Sequence, residues 1–98
     1  MEDVVYYNDL YDLYGELLTD KQKEYFEDYY FNNLSFSEMA DNYSVSRNAI
    51  FKQIHIVINK LEEYEKKLGL LKKKSRIIML IEKIDNDDIK RELEELLN

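Results

Sequence analysis

The chain has 98 residues, a formal charge of −7, no cysteine, no proline and two glycines. That length suits one domain with a modest core, and the missing cysteines exclude disulfides, thiol catalysis and cysteine-based zinc sites. The shortage of Gly and Pro favours helices joined by short turns over an all-β fold.

Residues 2–18 read as a first helix, because Tyr6, Leu10, Leu13 and Leu17 recur at spacings of four, three and four and so share one face. Gly15 weakens it by about 1 kcal/mol relative to Ala. Thr19 and Gln22 form a T-x-x-Q capping box that opens a second helix over about Asp20 to Phe31. In that helix Phe26, Tyr29 and Tyr30 are expected to face inward and Lys23, Glu27 and Asp28 outward. Asn32-Asn33 is the break.

The next stretch, Ser35 to Lys60, carries a helix-turn-helix pattern. Ser35 and Glu38 make a second capping box, and Ser37 to Asn42 a short helix with Met39 and Ala40 inside. Ala40 is small enough to let two helices cross closely. Tyr43 to Val45 is the turn, with Val45 as its buried plug. Ser44 stands where Gly is usual, at a position that needs a left-handed backbone. Ser46 is the N-cap of the following helix, which Ile50 and Ile54 hold against the first.

That helix does not stop at the motif. Ile50, Ile54, Val57, Leu61, Tyr64, Leu68 and Leu71 continue a heptad seam, with Ile58 widening it. At ~1.5 Å per residue it would run 36–40 Å, so its far half needs cover from the N-terminal helix, the C-terminal segment or a second copy. Gly69 marks a stop. Lys72 to Arg76 is read as a basic joint. Beyond it Ile77, Leu80, Ile81 and Ile84 share a face, and Asn86-Asp87-Asp88 caps a last helix with Ile89, Leu93 and Leu96 inward. The acidic Asp85, Asp87 and Asp88 lack the Gly and the terminal Glu of a calcium loop. The expected architecture is all-α: a six-helix bundle holding a winged-helix-type helix-turn-helix with a long recognition helix. Residues 1–76 form the helix-turn-helix domain, and residues 77–98 a helical tail packed on the long helix or on a partner copy.

Charge is unevenly distributed. There are 2 Lys/Arg against 11 Asp/Glu up to Asn42, 9 against 3 from Tyr43 to Arg76, and 3 against 7 beyond. No acidic residue lies between Tyr43 and Lys60. A basic segment that contains the start of a recognition helix is the electrostatic footprint of a nucleic-acid contact, weakened by the acidic flanks. The residues assigned to that contact are Ser46, Arg47, Asn48, Phe51, Lys52, His55 and Lys60. Arg can pair with guanine and Asn with adenine, while Lys52 and Lys60 suit phosphates. His55 is more readily a structural residue than a phosphate ligand. Phe51 can stack on an unpaired base or pack on the first helix of the motif, and packing is preferred. The many Tyr and Phe of the first two helices are read as core filling.

The chain resembles the YlxM family of small bacterial helix-turn-helix proteins. The resemblance rests on Leu17-Leu18-Thr19-Asp20-Lys21-Gln22, Tyr29-Tyr30, Ser37-Glu38-Met39-Ala40, Val45-Ser46-Arg47-Asn48-Ala49-Ile50 and Leu61-Glu62-Glu63-Tyr64-Glu65-Lys66-Lys67-Leu68, across roughly residues 13–71. The middle blocks are similar to region four of bacterial sigma factors, although those carry more Arg on the recognition helix. The resemblance implies a regulator linked to the signal recognition particle, whose RNA or proteins are then expected partners.

The expected function is a nucleic-acid-binding regulator, on DNA rather than RNA, that dimerises through the long helix or the C-terminal helices. The alternative is a protein-binding adaptor of the same particle, held by the acidic N-terminal face or the heptad seam. One His and no Gly-rich phosphate loop point away from an enzyme, and no cofactor or metal is expected. No apolar run approaches the ~20 residues of a membrane span, and the acidic Met1-Glu2-Asp3 start is unlike a secretory signal. A soluble cytoplasmic protein without membrane insertion is the expectation.

Overall fold

Local sequence decides where the helices begin, and a computed structural model describing residues 3–98 shows six of them. Asp3 caps α1 (Val4–Tyr14) by accepting from the Tyr6 amide. The chain continues through a 3₁₀ turn, Gly15–Leu17. Both expected capping boxes are closed: Thr19 with Gln22 opens α2 (Asp20–Tyr30), and Ser35 with Glu38 opens α3 (Phe36–Tyr43). Ser46 caps α4 (Arg47–Leu68) by accepting from the Ala49 amide at 3.0 Å. After Gly69 come α5 (Leu70–Ile81) and α6 (Asp87–Leu97), the latter capped by Asn86. No strand occurs among the described residues. The helix-turn-helix therefore carries no wing there, and the winged-helix-type qualifier does not apply.

Two hydrophobic clusters share α4. Leu10, Tyr14, Leu18 and Phe26 close on Val57 and Leu61, while Tyr25, Met39 and Ala40 close on Ile50, Ile54 and Ile58. The seam is thus covered from within the chain, by α1 and α2 on one part and α3 on the other. Its exposed remnant is Leu68, and Leu71 belongs to α5 rather than to the long helix. At 22 residues α4 is about 33 Å long, shorter than expected because Gly69 ends it in the left-handed region at φ 62°.

Several inward assignments change. The 3₁₀ turn leaves Leu17 outward and Leu18 in the core, where Tyr14 just before the turn is buried as well. Gly15 is there because a Cβ would meet the Tyr11 ring at 3.1 Å. Val45 is 42% exposed and plugs nothing. Glu27 and Asp28 are not free surface acids, since the Tyr11 and Tyr43 hydroxyls donate to them at 2.6 and 2.5 Å. The stretch Lys72 to Arg76 lies inside α5 and is no joint. Only Ile81 of α5 is buried, and α6 buries no residue: Ile89 is half exposed and Leu96 is 82% exposed. The two helices project as an arm. The molecule measures 55 × 25 × 23 Å with a radius of gyration of 17.0 Å, against about 13 Å for a compact chain of this length.

A polar network anchors the start of the arm beside Leu71, which packs on the first cluster. Gly69 offers α5 no side-chain cap, so Glu65 supplies it. Its carboxylate accepts from the Leu71 and Lys72 amides at 3.0 and 3.3 Å and from the Tyr14 hydroxyl at 2.7 Å. The Tyr14 oxygen in turn accepts from the Leu70 amide at 3.1 Å. Burial alone would raise the Glu65 carboxyl pKa, but the bonds from Tyr14, Leu71 and Lys72 outweigh it and hold the group below its ordinary value. Tyr7 makes the analogous bond to Glu62 at 2.6 Å.

These bonds predict an alkaline transition. The hydrogen bond to Glu62, followed by burial, pushes the Tyr7 hydroxyl up to about 12. Burial, then the partner carboxylate, raises Tyr11, Tyr14 and Tyr43. A hydroxyl whose folded pKa exceeds its unfolded value of about 10 holds its proton more tightly when folded. Its contribution is complete below that pH and disappears as pH rises through the raised value. Tyrosinate absorbance should therefore show these groups ionising only together with loss of helical circular dichroism, between about pH 10 and 12 or above. A second prediction concerns the two left-handed caps. Ser44 sits at φ 55°, so Ser44→Gly should stabilise by about 0.5–1 kcal/mol. Gly69→Ala, which meets nothing within 4 Å, should destabilise by about 1 kcal/mol through backbone strain alone. Urea denaturation reads both.

Candidate nucleic-acid interface

The left-handed Ser44 makes the motif's turn. Its amide and that of Val45 bond back to the Asp41 and Ala40 carbonyls at 3.3 and 3.0 Å, which closes α3 and aims the chain at the start of α4. Buried Met39, Ala40, Ile50 and Ile54 clamp the two helices. With the inner side consumed, the opposite side of the first turns of α4 faces outward.

Ser46, Arg47, Asn48 and Lys52 are all exposed. Ser46 is spent on the cap, so its hydroxyl is already engaged by the Ala49 amide. Arg47 and Asn48 line an open cleft of about 520 Å³ together with Phe51 and Phe36. Phe51 is 44% exposed. Its ring meets that of Phe36 in an edge-to-face contact, with centroids 5.9 Å apart at 83°, and the His55 ring lies against it at 4.2 Å. It both packs on α3 and opens to the cleft. The His55 Nδ1 is 3.0 Å from the Phe51 carbonyl. A carbonyl only accepts, so Nδ1 carries the proton and Nε2 is left for other contacts.

Lys60 stands apart from this group. It lies about 12 Å along the helix from Lys52, half-buried, and donates to Gln22 Oε1 at 3.3 Å. Its ammonium is tied to the start of α2, so the geometry assembles Arg47, Asn48, Phe51, Lys52 and His55 but leaves Lys60 outside. Phe36 was not among the residues picked out by sequence. It is the first residue of α3, just after the capping serine, and its ring stacks on Tyr29 at 4.9 Å and 23°. Starting α3 at Ser37 left it in a linker. The Ser35–Glu38 box, which fixes the helix start one residue earlier, is the sequence feature that locates it.

The acidic residue beside this face with the firmest role is Glu38. Its bonds to Ser35 hold its carboxyl below the ordinary range, so it serves the cap. No group of His, Cys, Asp and Glu among the described residues is arranged to hold a metal ion, and no described helix is long and apolar enough to cross a membrane.

The whole chain, residues 1–98, matches the family described as "Putative helix-turn-helix protein, YlxM / p13 like", UPF0122. A UPF0122 protein of Caldanaerobacter subterraneus is 38% identical, with 97% of each chain covered. One of Mycoplasma capricolum is 42% identical over 91% of this chain and 79% of its own. One of Geobacillus kaustophilus is 43% identical over 86% of this chain and 76% of its own. With the motif's caps, turn and clamped helices in place and the match running end to end, the chain belongs to the UPF0122 family of YlxM / p13-like helix-turn-helix proteins.

Proposed function

We propose that this protein is a non-enzymatic regulator that binds nucleic acid through the start of α4. One observation carries the reading. The outward side of the motif's second helix presents Arg47, Asn48, Phe51 and Lys52 in a segment without acidic residues, in a chain otherwise strongly negative. In helix-turn-helix modules that helix start enters the major groove, which favours duplex DNA over RNA as the ligand. The free Nε2 of His55 lies on the same strip. Family membership supports a helix-turn-helix role, and the link to the signal recognition particle is what the sequence resemblance adds.

Few cations face outward, so affinity per copy is weak. The reading therefore includes a homodimer. The heptad seam cannot serve it, because Ile50, Ile54, Val57 and Leu61 are already buried. The arm offers several exposed apolar side chains close together in sequence: Ile77, Leu80, Ile89 and Leu96 are between 40% and 82% exposed. Charge favours a second copy. Lys72, Lys73, Lys74 and Arg76 lie on α5, Asp87, Asp88, Glu92, Glu94 and Glu95 on α6, and among the described residues no ion pair joins the two helices within one chain. An isologous pairing of arms would match basic α5 to acidic α6. The same surface supports the adaptor reading if its occupant is another protein. Residues 77–98 then act as the assembly tail, whichever partner they hold.

Gel shifts on genomic fragments at low salt, competed with particle RNA, test the first part. Arg47→Ala with Lys52→Ala should abolish the shift, and removing one phosphate contact should reduce the salt slope by ~0.9 on duplex DNA. Unchanged binding removes the role given to α4. Light scattering tests the second part. The wild-type chain should have a dimer's mass, and Ile89→Asp with Leu96→Asp a monomer's, at equal helicity because neither side chain is buried. A complex with cellular protein that survives nuclease treatment favours the adaptor.

A further inference from the structure

The cleft at the tip of α4 has a chemistry that paired DNA does not use. Arg47, Phe51 and His55 follow one another at four-residue intervals, with Asn48 three residues before Phe51, so all four lie on one strip of the helix. Phe51 is braced on two sides. Phe36, itself stacked on Tyr29, meets it edge-to-face, while the tilted His55 ring lies 4.2 Å from it on centroids. A chain of aromatic contacts thus runs from the partly buried Tyr29 to the surface and holds Phe51 in place with 44% of it open. The cleft it faces is about 520 Å³, with the Arg47 guanidinium and the Asn48 amide as its polar lining.

We propose that this cleft receives one unpaired nucleobase, stacked on the open side of Phe51, with Asn48 at the base edge and Arg47 at the adjoining phosphate. The inference rests on the reading that α4 faces nucleic acid, and it names the ligand as a single strand or an extruded base. A flat π surface beside an amide that both donates and accepts is what a nucleobase requires. In a duplex both faces of a base are covered by its neighbours. There a phenyl ring would touch only a thymine methyl, so Phe51 adds little to a duplex contact made by Arg47, Asn48 and Lys52. Stacking also depends little on salt, whereas phosphate contacts weaken steeply with it. A protein of charge −7 with few cations at its interface gains affinity from a contact that its own negative field does not oppose.

The test uses the full chain and three fluorescent twelve-nucleotide probes of one sequence: single-stranded RNA, single-stranded DNA and duplex DNA. Each strand carries one 2-aminopurine at its centre. The wild-type protein should bind both single strands and change the 2-aminopurine emission as that base leaves its neighbours and stacks on Phe51. Phe51→Ala should weaken single-strand binding by between about 5- and 150-fold, and duplex binding less than twofold. Phe51→Leu, which keeps the apolar volume and the helix, should weaken single strands nearly as much. Phe51→Tyr should retain them. Circular dichroism of each variant should match the wild type, since the side chain is nearly half exposed. Restoration of single-strand affinity by Leu, or an equal loss on all three probes, overturns the stacking site. Binding of the duplex alone overturns it while leaving the nucleic-acid reading of α4 intact. No binding of any probe by the wild type overturns both. The ratio of RNA to DNA affinity identifies which strand the cleft prefers.

Discussion

The fold depends on one helix being buried by two different sets of neighbours. One side of α4 lies against α3 and Tyr25 through Ile50, Ile54 and Ile58, and its middle lies against α1 and Phe26 through Val57 and Leu61. Neither cluster alone is large, since 98 residues leave little interior to share. Joining them through a continuous hydrogen-bonded rod makes them support each other. It also fixes the first turns of α4 from behind, so the residues at its tip are held by the core instead of lying on a mobile loop. The same burial takes up most of the heptad seam, which turns an apparent coiled-coil surface into the spine of the chain's own core.

Polar contacts add directions that apolar packing leaves loose. Four tyrosine hydroxyls reach carboxylates on other helices: Tyr7 to Glu62, Tyr11 to Glu27, Tyr14 to Glu65 and Tyr43 to Asp28. Each ring fills space in or beside a cluster while its oxygen satisfies an acid at the rim. This accounts for a chain rich in both tyrosine and acidic residues. Acids that look like free surface charge are thus acceptors in the packing. The Glu65 network does most. It satisfies the amides left open at the start of α5 and ties three helices at one point.

What could be read from the sequence was local. Thr19–Gln22, Ser35–Glu38, Ser46 and Asn86 cap helices where side-chain chemistry a few residues apart says they should, because those bonds need no tertiary partner. Ser44 adopts the left-handed turn that its position in the motif demands. The helix-turn-helix, the all-helical fold and the family were therefore visible from the chain alone. Periodicity showed which residues share a face but not whether anything covers it, so Ile89 and Leu96 were placed inside and are outside. Leu17 shares a face with Leu10 and Leu13 only if α1 runs through it, whereas a 3₁₀ turn over Gly15–Leu17, with the Tyr11 ring close by Gly15, ends α1 and leaves Leu17 exposed, a local packing that no spacing rule contains. At the tip, Arg47, Asn48, Phe51 and Lys52 were legible as exposed positions. Phe36 and the capture of Lys60 by Gln22 were not, because both depend on how α2 and α3 lie against α4.

The junction at Glu65 has a geometric consequence for the tip. Arg47 and Glu65 are eighteen positions apart, which at 3.6 residues per turn is five whole turns, about 27 Å along the axis. The carboxylate that caps α5 therefore springs from α4 on the same azimuth as the residue at the head of the cleft. One residue more or fewer between them would move that capping point by about 100° around the helix. The length of α4 is thus a phase as well as a distance: it sets the bearing on which the cap of α5 and the cleft stand to each other.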